Sequence, residues 1–175
     1  MKKIVTLFAD LDGTLIRTVS GCTFPKACTD FIIRKDVLDA IRSLPDLKVL
    51  AIVTNQGGIP QYVSKQEFVS KLRAVGGFAT NYIGHAVVAK FCASTDPDDP
   101  MRKPNPGMLE YLVKHSLLDL VFDRKTSLMI GDASGKPGQF SDSDYMTAQN
   151  FHIDYMDVDD FVHTCKFAFP PRPFN

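Results

Sequence analysis

Short apolar runs alternate with amphipathic segments along most of the chain, and this alternation constrains the fold more than any other feature. Residues 4–9, 49–53 and 127–130 are rich in Val, Ile, Leu or Phe, and each run ends at a polar or glycine-containing turn. Such runs are typical of strands that are buried on both faces. Two shorter candidates lie within residues 82–91 and 151–155. Strands alternating with helices predict an α/β fold, a Rossmann-like three-layer sandwich with a mostly parallel central sheet.

The segments between these runs have helical periodicity. One face of a helix predicted over residues 36–43 is apolar. Ser64 and Glu67 have the spacing of a capping box, so we expect a second helix to begin there and to end at Gly76 and Gly77. Further helices are predicted over residues 106–118, from Ser141 or Ser143 onward, and over residues 158–163.

The composition is that of an ordinary globular domain. The chain has 175 residues, 45% of them hydrophobic, and twenty basic residues balance twenty acidic ones. We expect one domain at residues 1–166, followed by a proline-containing tail at residues 167–175. The zero net charge argues against a strongly basic nucleic-acid-binding surface but leaves room for a local basic patch. The four cysteines form no CxxC pair and lack zinc-ligand spacing, so reduced thiols are expected.

No segment approaches the roughly 20 consecutive apolar residues of a membrane span. The apolar run at residues 4–9 is too short for the core of a signal peptide, and Asp10 follows it directly. We therefore expect a cytoplasmic protein that has no membrane partner.

Polar clusters follow the predicted strands, and ligands in open α/β sheets bind at the carboxyl ends of strands. Asp10 and Asp12 come directly after the first run. At this spacing, one carboxylate can attack a phosphorus atom while the other handles the proton on the leaving oxygen. Gly13 then allows a sharp turn. Thr54 and Asn55 follow the second run, where a hydroxyl and an amide suit the binding of a phosphoryl oxygen.

Two further polar clusters are candidates for the same site. Lys103 precedes a predicted helix N-terminus, where a cation and free backbone amides can jointly hold an anion. Asp132 follows the run at residues 127–130 and would offer Mg²⁺ a hard oxygen ligand. Each cluster by itself is also compatible with a plain polar turn, a helix cap or an exposed lysine. Their occurrence in order along the chain favours one common site.

Together these clusters resemble the haloacid dehalogenase-like phosphatase superfamily, in which a DxDGT segment, a strand-end Ser or Thr, a lysine and a GD-type acidic segment form one site. The resemblance spans nearly the whole chain. It implies that Asp10 is the nucleophile and that Asp12 is the general acid and later the base. Thr54 would bind the transferring phosphoryl group, and Lys103 would neutralise its charge. Mg²⁺ would be held by Asp10, the backbone carbonyl of Asp12, and Asp132.

A finer resemblance is to the 3′-phosphatase domain of polynucleotide kinase/phosphatase, a family that clears 3′-phosphates from DNA ends during strand-break repair. It rests on residues 20–25, 54–59, 102–104, 131–136 and 140–144, which read SGCTFP, TNQGGI, RKP, GDASGK and FSDSD. The resemblance aligns Asp144 with a later acid of that family, which would orient Lys103 or a metal-bound water. The sequence contains no GxxxxGK[ST] P-loop, so kinase activity is not expected.

A phosphorylated substrate is expected, and the 3′-phosphate end of DNA is the leading candidate. Residues 13–35 and 78–101 leave room for short elements but not for a large cap domain, so the site should be open to a bulky or polymeric substrate. The predicted substrate contacts around this opening are Gly13, Arg17, Asn55, Arg102 and Lys136.

Two alternatives stay open. A small-molecule phosphatase of the histidinol-phosphate or heptose-bisphosphate type would share these motifs, but many of those enzymes carry a zinc-binding loop of several Cys and a His before the lysine. Here that region has only Cys92, followed by Asp96, Asp98 and Asp99, and the acidic run is also a poor neighbour for a phosphodiester backbone. The third interpretation is a non-catalytic binding module on the same fold, although no motif residue is lost. The sequence predicts no oligomeric state.

Overall fold

Five parallel strands form the central sheet of the protein. The structure is a computed structural model that describes residues 2–22, 25, 27, 29–139 and 141–168. Within these residues the strands are β1 (Thr6–Ala9), β2 (Ile16–Arg17), β3 (Ile32–Ile33), β4 (Val49–Asn55), β5 (Ala86–Cys92), β6 (Ser127–Gly131) and β7 (Asp154–Asp157). The sheet has the order β5-β4-β1-β6-β7, and β2 pairs with β3 in a separate antiparallel hairpin.

Helices cover both faces of the sheet. They are α1 (Lys35–Ser43), α2 (Lys65–Ile83), α3 (Gly107–His115), α4 (Ser143–Asn150) and α5 (Val158–Ala168), with 3₁₀ turns at Leu117–Leu120 and Arg124–Thr126. Alternate residues of β4 point to opposite faces: Leu50 and Ile52 pack with α1, α2 and α5, whereas Ala51 and Val53 pack with α3 and α4. The predicted three-layer α/β sandwich is confirmed.

Strand β1 lies at the centre of the sheet, where the direction of winding changes. In register, its Ala9 lies beside Ile52 of β4 on one side and Ile130 of β6 on the other. The chain builds outward from β1 to β5 and then returns across the sheet to β6 and β7. Ligands of open α/β sheets bind in the crevice at such a point, outside the carboxyl ends of the strands. The polar residues that follow β1, β4 and β6 therefore lie at one edge.

Only small elements project beyond this edge within the described residues. The hairpin of β2 and β3 lies between β1 and α1, and residues 93–106, between β5 and α3, contain no helix or strand. Within the described residues the domain has no large cap, as predicted.

Helix α2 begins as predicted, with Ser64 as its N-cap. The Ser64 hydroxyl accepts from the Glu67 backbone N–H at 3.2 Å, and the Glu67 carboxylate accepts from the Ser64 backbone N–H at 2.9 Å. These reciprocal bonds satisfy two backbone donors that the first turn leaves unpaired.

The predicted end of α2 at Gly76 and Gly77 is wrong, because the helix continues to Ile83. Ala79 and Ile83 extend its buried face beyond the glycine pair. The helix stops at Gly84, which has the left-handed backbone conformation of a C-cap, with φ of 74°. Burial of another turn and a half of apolar surface thus outweighs the low helix propensity of the two glycines.

The C-terminal helix also extends further than predicted, because α5 includes residues up to Ala168, beyond residue 163. It therefore runs into the first two residues of the predicted tail; residues 169–175 lie outside the described part of the chain, and the domain boundary stays a prediction. Among the described helices, none is both long enough and apolar enough to span a bilayer. The thiols of Cys22, Cys92 and Cys165 are free, and Cys28 lies outside the described residues.

Candidate active site

A buried lysine lies between two buried carboxylates at the carboxyl ends of the central strands. Asp10 directly follows β1, and its Oδ1 accepts a hydrogen bond from Lys103 Nζ at 2.5 Å. The same ammonium donates to Asp144 Oδ1 at 2.6 Å. All three side chains are buried, with Asp144 and Lys103 almost inaccessible. The fold thus brings together two of the predicted catalytic residues and the acid that was predicted to orient the lysine.

Asp144 is fixed through both of its oxygens. It lies in the first turn of α4, and its Oδ2 accepts from the Ala133 backbone N–H at 3.2 Å while Oδ1 holds Lys103. Gly131 makes room for it, because a Cβ atom at that position would overlap the Asp144 carboxylate. With both oxygens occupied, Asp144 is suited to orient Lys103.

Asp132, after β6, completes an acidic cluster. Oxygens of Asp10, Asp132 and Asp144 all lie within 4.8 Å of one another. Gly13 allows Asp132 to approach, since its backbone has φ of 83° and a Cβ atom there would overlap the Asp132 carboxylate. This gives Gly13 a steric role, and its predicted contact with substrate stays a prediction.

The electrostatics of the cluster show an excess of negative charge. Burial raises the pKa of Asp10 from its ordinary 3.8 to about 8; Lys103 opposes the change, whereas the charges of Asp144 and Asp132 add to it. Burial, followed by the charge of Asp144, raises the pKa of Asp132 to about 6. Burial disfavours the charged form of Lys103, but Asp10 and Asp144 outweigh it and raise its pKa above the ordinary value. A cluster of hard carboxylate oxygens that resists ionisation fits a divalent cation such as Mg²⁺.

Asp12 lies beside this cluster and is held from two sides. Lys71 Nζ, from α2, donates to Asp12 Oδ1 at 3.0 Å. Gln56 Nε2 donates to Asp12 Oδ2 at 2.6 Å and to Thr54 Oγ1 at 2.9 Å. Sequence reasoning missed Lys71 because it lies in an ordinary helical pattern. It placed Gln56 in the Thr54 motif but did not predict the contact of Gln56 with Asp12.

The contact from Gln56 defines what the Thr54 hydroxyl can do. Because the amide must turn its NH₂ group toward the Asp12 carboxylate, Thr54 Oγ1 accepts from Gln56. The Thr54 hydroxyl hydrogen then remains available to donate to another acceptor. Thr54 is buried in β4 next to the cluster, so a phosphoryl oxygen is a suitable acceptor.

Asn55 holds the backbone of Lys103. Its Nδ2 donates to the Lys103 carbonyl at 2.9 Å, and its Oδ1 accepts from the Lys103 N–H at 3.0 Å. Both polar ends of the amide are occupied. These two bonds suit Asn55 to positioning Lys103, and its predicted contact with substrate stays a prediction.

The predicted basic contacts have different environments. Arg17 is exposed on β2, so its role as a substrate contact stays a prediction. Arg102 donates to the Ser94 carbonyl at 2.6 Å, which ties part of its guanidinium to the loop. Lys136 pairs with Asp160 at 2.8 Å and with Asp157 at 3.3 Å. Its charge is thus balanced within the protein, and the prediction that it contacts substrate gains no support.

The acidic run before Lys103 stabilises its own loop. Asp96 accepts from the Asp98 backbone N–H at 2.9 Å, and Asp99 accepts from the Met101 backbone N–H at 2.8 Å. Hydrogen bonds of this local kind shape loops without a metal ion. The loop that presents Lys103 is therefore held by its own side chains.

Residues 4–162 match the model of the family described as Polynucleotide kinase 3 phosphatase. The chain belongs to this family. The predicted recognition is confirmed. Thr23, Phe24 and Phe140, which contribute to the finer resemblance, lie outside the described residues.

Two relatives of this family member have names that give different substrates. The chain is 32% identical over 169 residues to the bifunctional polynucleotide phosphatase/kinase of Schizosaccharomyces pombe. This match covers 93% of this chain and 38% of the relative. It is 33% identical over 136 residues to the D-glycero-beta-D-manno-heptose-1,7-bisphosphate 7-phosphatase of Mesorhizobium japonicum, covering 72% of this chain and 59% of the relative. The chain thus spans less than two thirds of either relative.

A solved structure shows the same fold. The D,D-heptose 1,7-bisphosphate phosphatase of B. bronchiseptica, complexed with magnesium and phosphate, superposes with a TM-score of 0.63 at 17% identity. The match covers 94% of this chain and 97% of that one. At this identity the likeness bears on the fold alone.

Proposed function

We propose that the chain hydrolyses a phosphomonoester through an aspartyl-phosphate intermediate on Asp10. The observation that carries the proposal is the buried contact of Asp10 with Lys103, beside Asp132 and Asp144. A carboxylate and a phosphate dianion repel each other, so attack requires cationic neutralisation. Lys103 supplies a positive charge against the attacking group, and Asp144 holds it in place.

The reaction divides into two displacements at phosphorus. First, an oxygen of Asp10 forms a bond to phosphorus while the bond to the leaving oxygen breaks, and Asp12 gives its proton to that oxygen. Second, Asp12 takes a proton from a water molecule whose oxygen attacks phosphorus, and the bond to Asp10 breaks. Inorganic phosphate is released. The Thr54 hydroxyl donates to a phosphoryl oxygen in both displacements.

Mg²⁺ is the proposed cofactor. Asp10, the backbone carbonyl of Asp12, and Asp132 would hold it, and when bound it would neutralise charge on the phosphoryl oxygens. The donor set fits this cation, because carboxylate oxygens of Asp10, Asp132 and Asp144 converge there. Asp144 is not among the proposed ligands, because both of its oxygens already accept hydrogen bonds from N–H donors.

The proposed substrate is the 3′-phosphorylated end of a polynucleotide, and DNA repair is the proposed process. Family membership and the S. pombe relative support this substrate class. The small β2–β3 hairpin also supports it, since no cap domain within the described residues would exclude a polymer from the strand ends. A cytoplasmic location stays a prediction.

A sugar bisphosphate is the second candidate substrate. The M. japonicum heptose-bisphosphate phosphatase is as similar to the matched part of this chain as the polynucleotide enzyme is. The loop at residues 93–106 supports this candidate, because its own hydrogen bonds hold it although it lacks the several Cys and the His of many small-molecule relatives.

Turnover measurements test both the chemistry and the substrate. Release of inorganic phosphate would be compared for a 3′-phosphorylated oligonucleotide, the 5′-phosphorylated form, a heptose bisphosphate and histidinol phosphate, with Mg²⁺ and with EDTA. We expect the 3′-phosphorylated oligonucleotide to give the highest kcat/KM, with KM rising as salt is added. Asp10→Asn should lower kcat about 10⁴-fold or more, whereas Asp119→Asn, an exposed acid, should leave it unchanged.

Two results would contradict the proposal. Wild-type turnover by Asp10→Asn would exclude Asp10 as the nucleophile. A higher kcat/KM for a sugar phosphate than for the oligonucleotide, with a KM independent of salt, would retain the chemistry but replace the substrate.

A further inference from the structure

Lys71 is a buried lysine in the middle of helix α2. Only 5% of its side chain is exposed, and its helical neighbours Phe68 and Leu72 pack in the core. An unpaired ammonium in such a place would be costly, so it requires a fixed partner. The partner is Asp12, 59 residues away in the sequence, at 3.0 Å.

The opposite oxygen of Asp12 is held by Gln56, at 2.6 Å. The Asp12 side chain is 36% exposed, so packing alone leaves it rotamer freedom. Two donors from different elements, one on each oxygen, remove that freedom. Each carboxylate oxygen has a second lone pair, so a proton-transfer position remains after both contacts are made.

We infer that Lys71 is a positioning residue that aligns Asp12 for proton transfer to the leaving group and from water. The inference rests on the proposed function, in which Asp12 is the acid and base. Proton transfer requires the donor within hydrogen-bond reach of the reacting oxygen. Displacement of a reacting group by about 1 Å can cost roughly 100-fold in rate.

A purely structural role for Lys71 makes a different prediction about stability. If the ion pair served mainly to hold the fold, its removal would lower the melting temperature. Removal of one member of a buried ion pair is destabilising because it leaves the other charge buried and uncompensated. Lys71→Met leaves no buried charge behind, because the Asp12 side chain is 36% exposed and keeps its access to water. A positioning role therefore predicts loss of turnover without loss of stability.

The experiment compares Lys71→Met, Lys71→Arg and Lys65→Met with the wild-type chain on the same 3′-phosphorylated oligonucleotide. We expect Lys71→Met to lower kcat about 100-fold, to change KM less than about threefold, and to melt no lower than wild type. Lys71→Arg should have a kcat about tenfold higher than Lys71→Met, because it keeps the positive charge. A cavity of about 410 Å³ borders Lys71 and leaves room for the larger side chain. Lys65→Met, at an exposed position in the same helix, should behave as wild type.

A double-mutant cycle shows whether Lys71 acts through Asp12. In an Asp12→Asn background, Lys71→Met should have less than a threefold further effect on single-turnover rates, because the group it positions is already disabled. The inference would be overturned if Lys71→Met lowered the rate 100-fold in both backgrounds, or if Lys71→Met turned over substrate at the wild-type rate. The variants Asp10→Asn and Asp12→Asn would still test the proposed function by themselves. If the wild-type chain releases phosphate from none of the four substrates, the function and the inference fail together.

Discussion

Replacement of Asp132 should stabilise the metal-free protein while it abolishes Mg²⁺-dependent turnover. The pKa of Asp132 is about 6 in the folded protein, because of burial and then the charge of Asp144, against an ordinary value of 3.8. The folded state therefore holds this proton more tightly than the unfolded state does. Ionisation of Asp132 therefore lowers the free energy of unfolding at pH values above 6, and this loss disappears as the pH falls toward 4.

The size of this cost follows from the two pKa values. At about 1.4 kcal/mol for each pH unit, it reaches about 3 kcal/mol near pH 7.5. Asp132 is partly exposed, so solvent screening lowers the expected value to about 1–3 kcal/mol. For a chain of this length, each kcal/mol shifts the melting temperature by about 2–4 °C. Asp132→Asn, which keeps the shape of the side chain, should thus melt about 2–12 °C higher in EDTA at pH 7.5.

Thermal melts from pH 4 to pH 8, in EDTA and in millimolar Mg²⁺, measure this effect. The gap between Asp132→Asn and wild type should be largest above pH 7 and nearly closed at pH 4. Mg²⁺ should raise the melting temperature of wild type but not that of the variant, and Asp119→Asn should show neither effect. A gap that does not vary with pH, or a variant that melts lower than wild type in EDTA at pH 7.5, would refute the reasoning.

Two further substitutions test how the site is held together. Asn55→Ala removes two hydrogen bonds to the Lys103 backbone. It should lower the free energy of unfolding by about 1–3 kcal/mol and lower kcat at least about tenfold. A wild-type kcat in this variant would contradict the positioning role of Asn55. Gly13→Ala places a Cβ atom against Asp132 at a left-handed backbone position and should weaken Mg²⁺ binding, measured by calorimetry, at least about tenfold. Gly77→Ala, which has open space in α2, is the control and should leave Mg²⁺ affinity unchanged.

The sequence predicted the sheet and the acidic part of the site because both depend on local patterns. Buried parallel strands appear as apolar runs, and parallel strands bring their carboxyl ends to one edge. Asp10, Asp132 and Thr54 could therefore be assigned to a common site from their positions after β1, β6 and β4. The same reasoning included Lys103, because it stands in a motif.

Features that depend on contacts between distant elements could not be predicted in this way. Nothing in the helical pattern around Lys71 distinguishes a buried partner of Asp12 from a solvated lysine, since the two residues are 59 positions apart and meet only in the folded chain. The contact of Asn55 with the Lys103 backbone could not be predicted for a similar reason, because an amide side chain is equally suited to bind a phosphate or a backbone segment. The end of α2 was predicted wrongly at Gly76 and Gly77, because the low helix propensity of glycine is a local property whereas the burial of Ile83 is a tertiary one.

The crowding of three carboxylates around one ammonium has a consequence for product inhibition. Without a bound cation, the pocket repels inorganic phosphate, just as it repels an anionic substrate, because the carboxylates of Asp132 and Asp144 outnumber the ammonium of Lys103 even while Asp10 is protonated. The affinity for the released phosphate should therefore follow the Mg²⁺ concentration and not the basic residues of the surface. The concentration of free Mg²⁺ would then determine how strongly the released phosphate inhibits the next turnover.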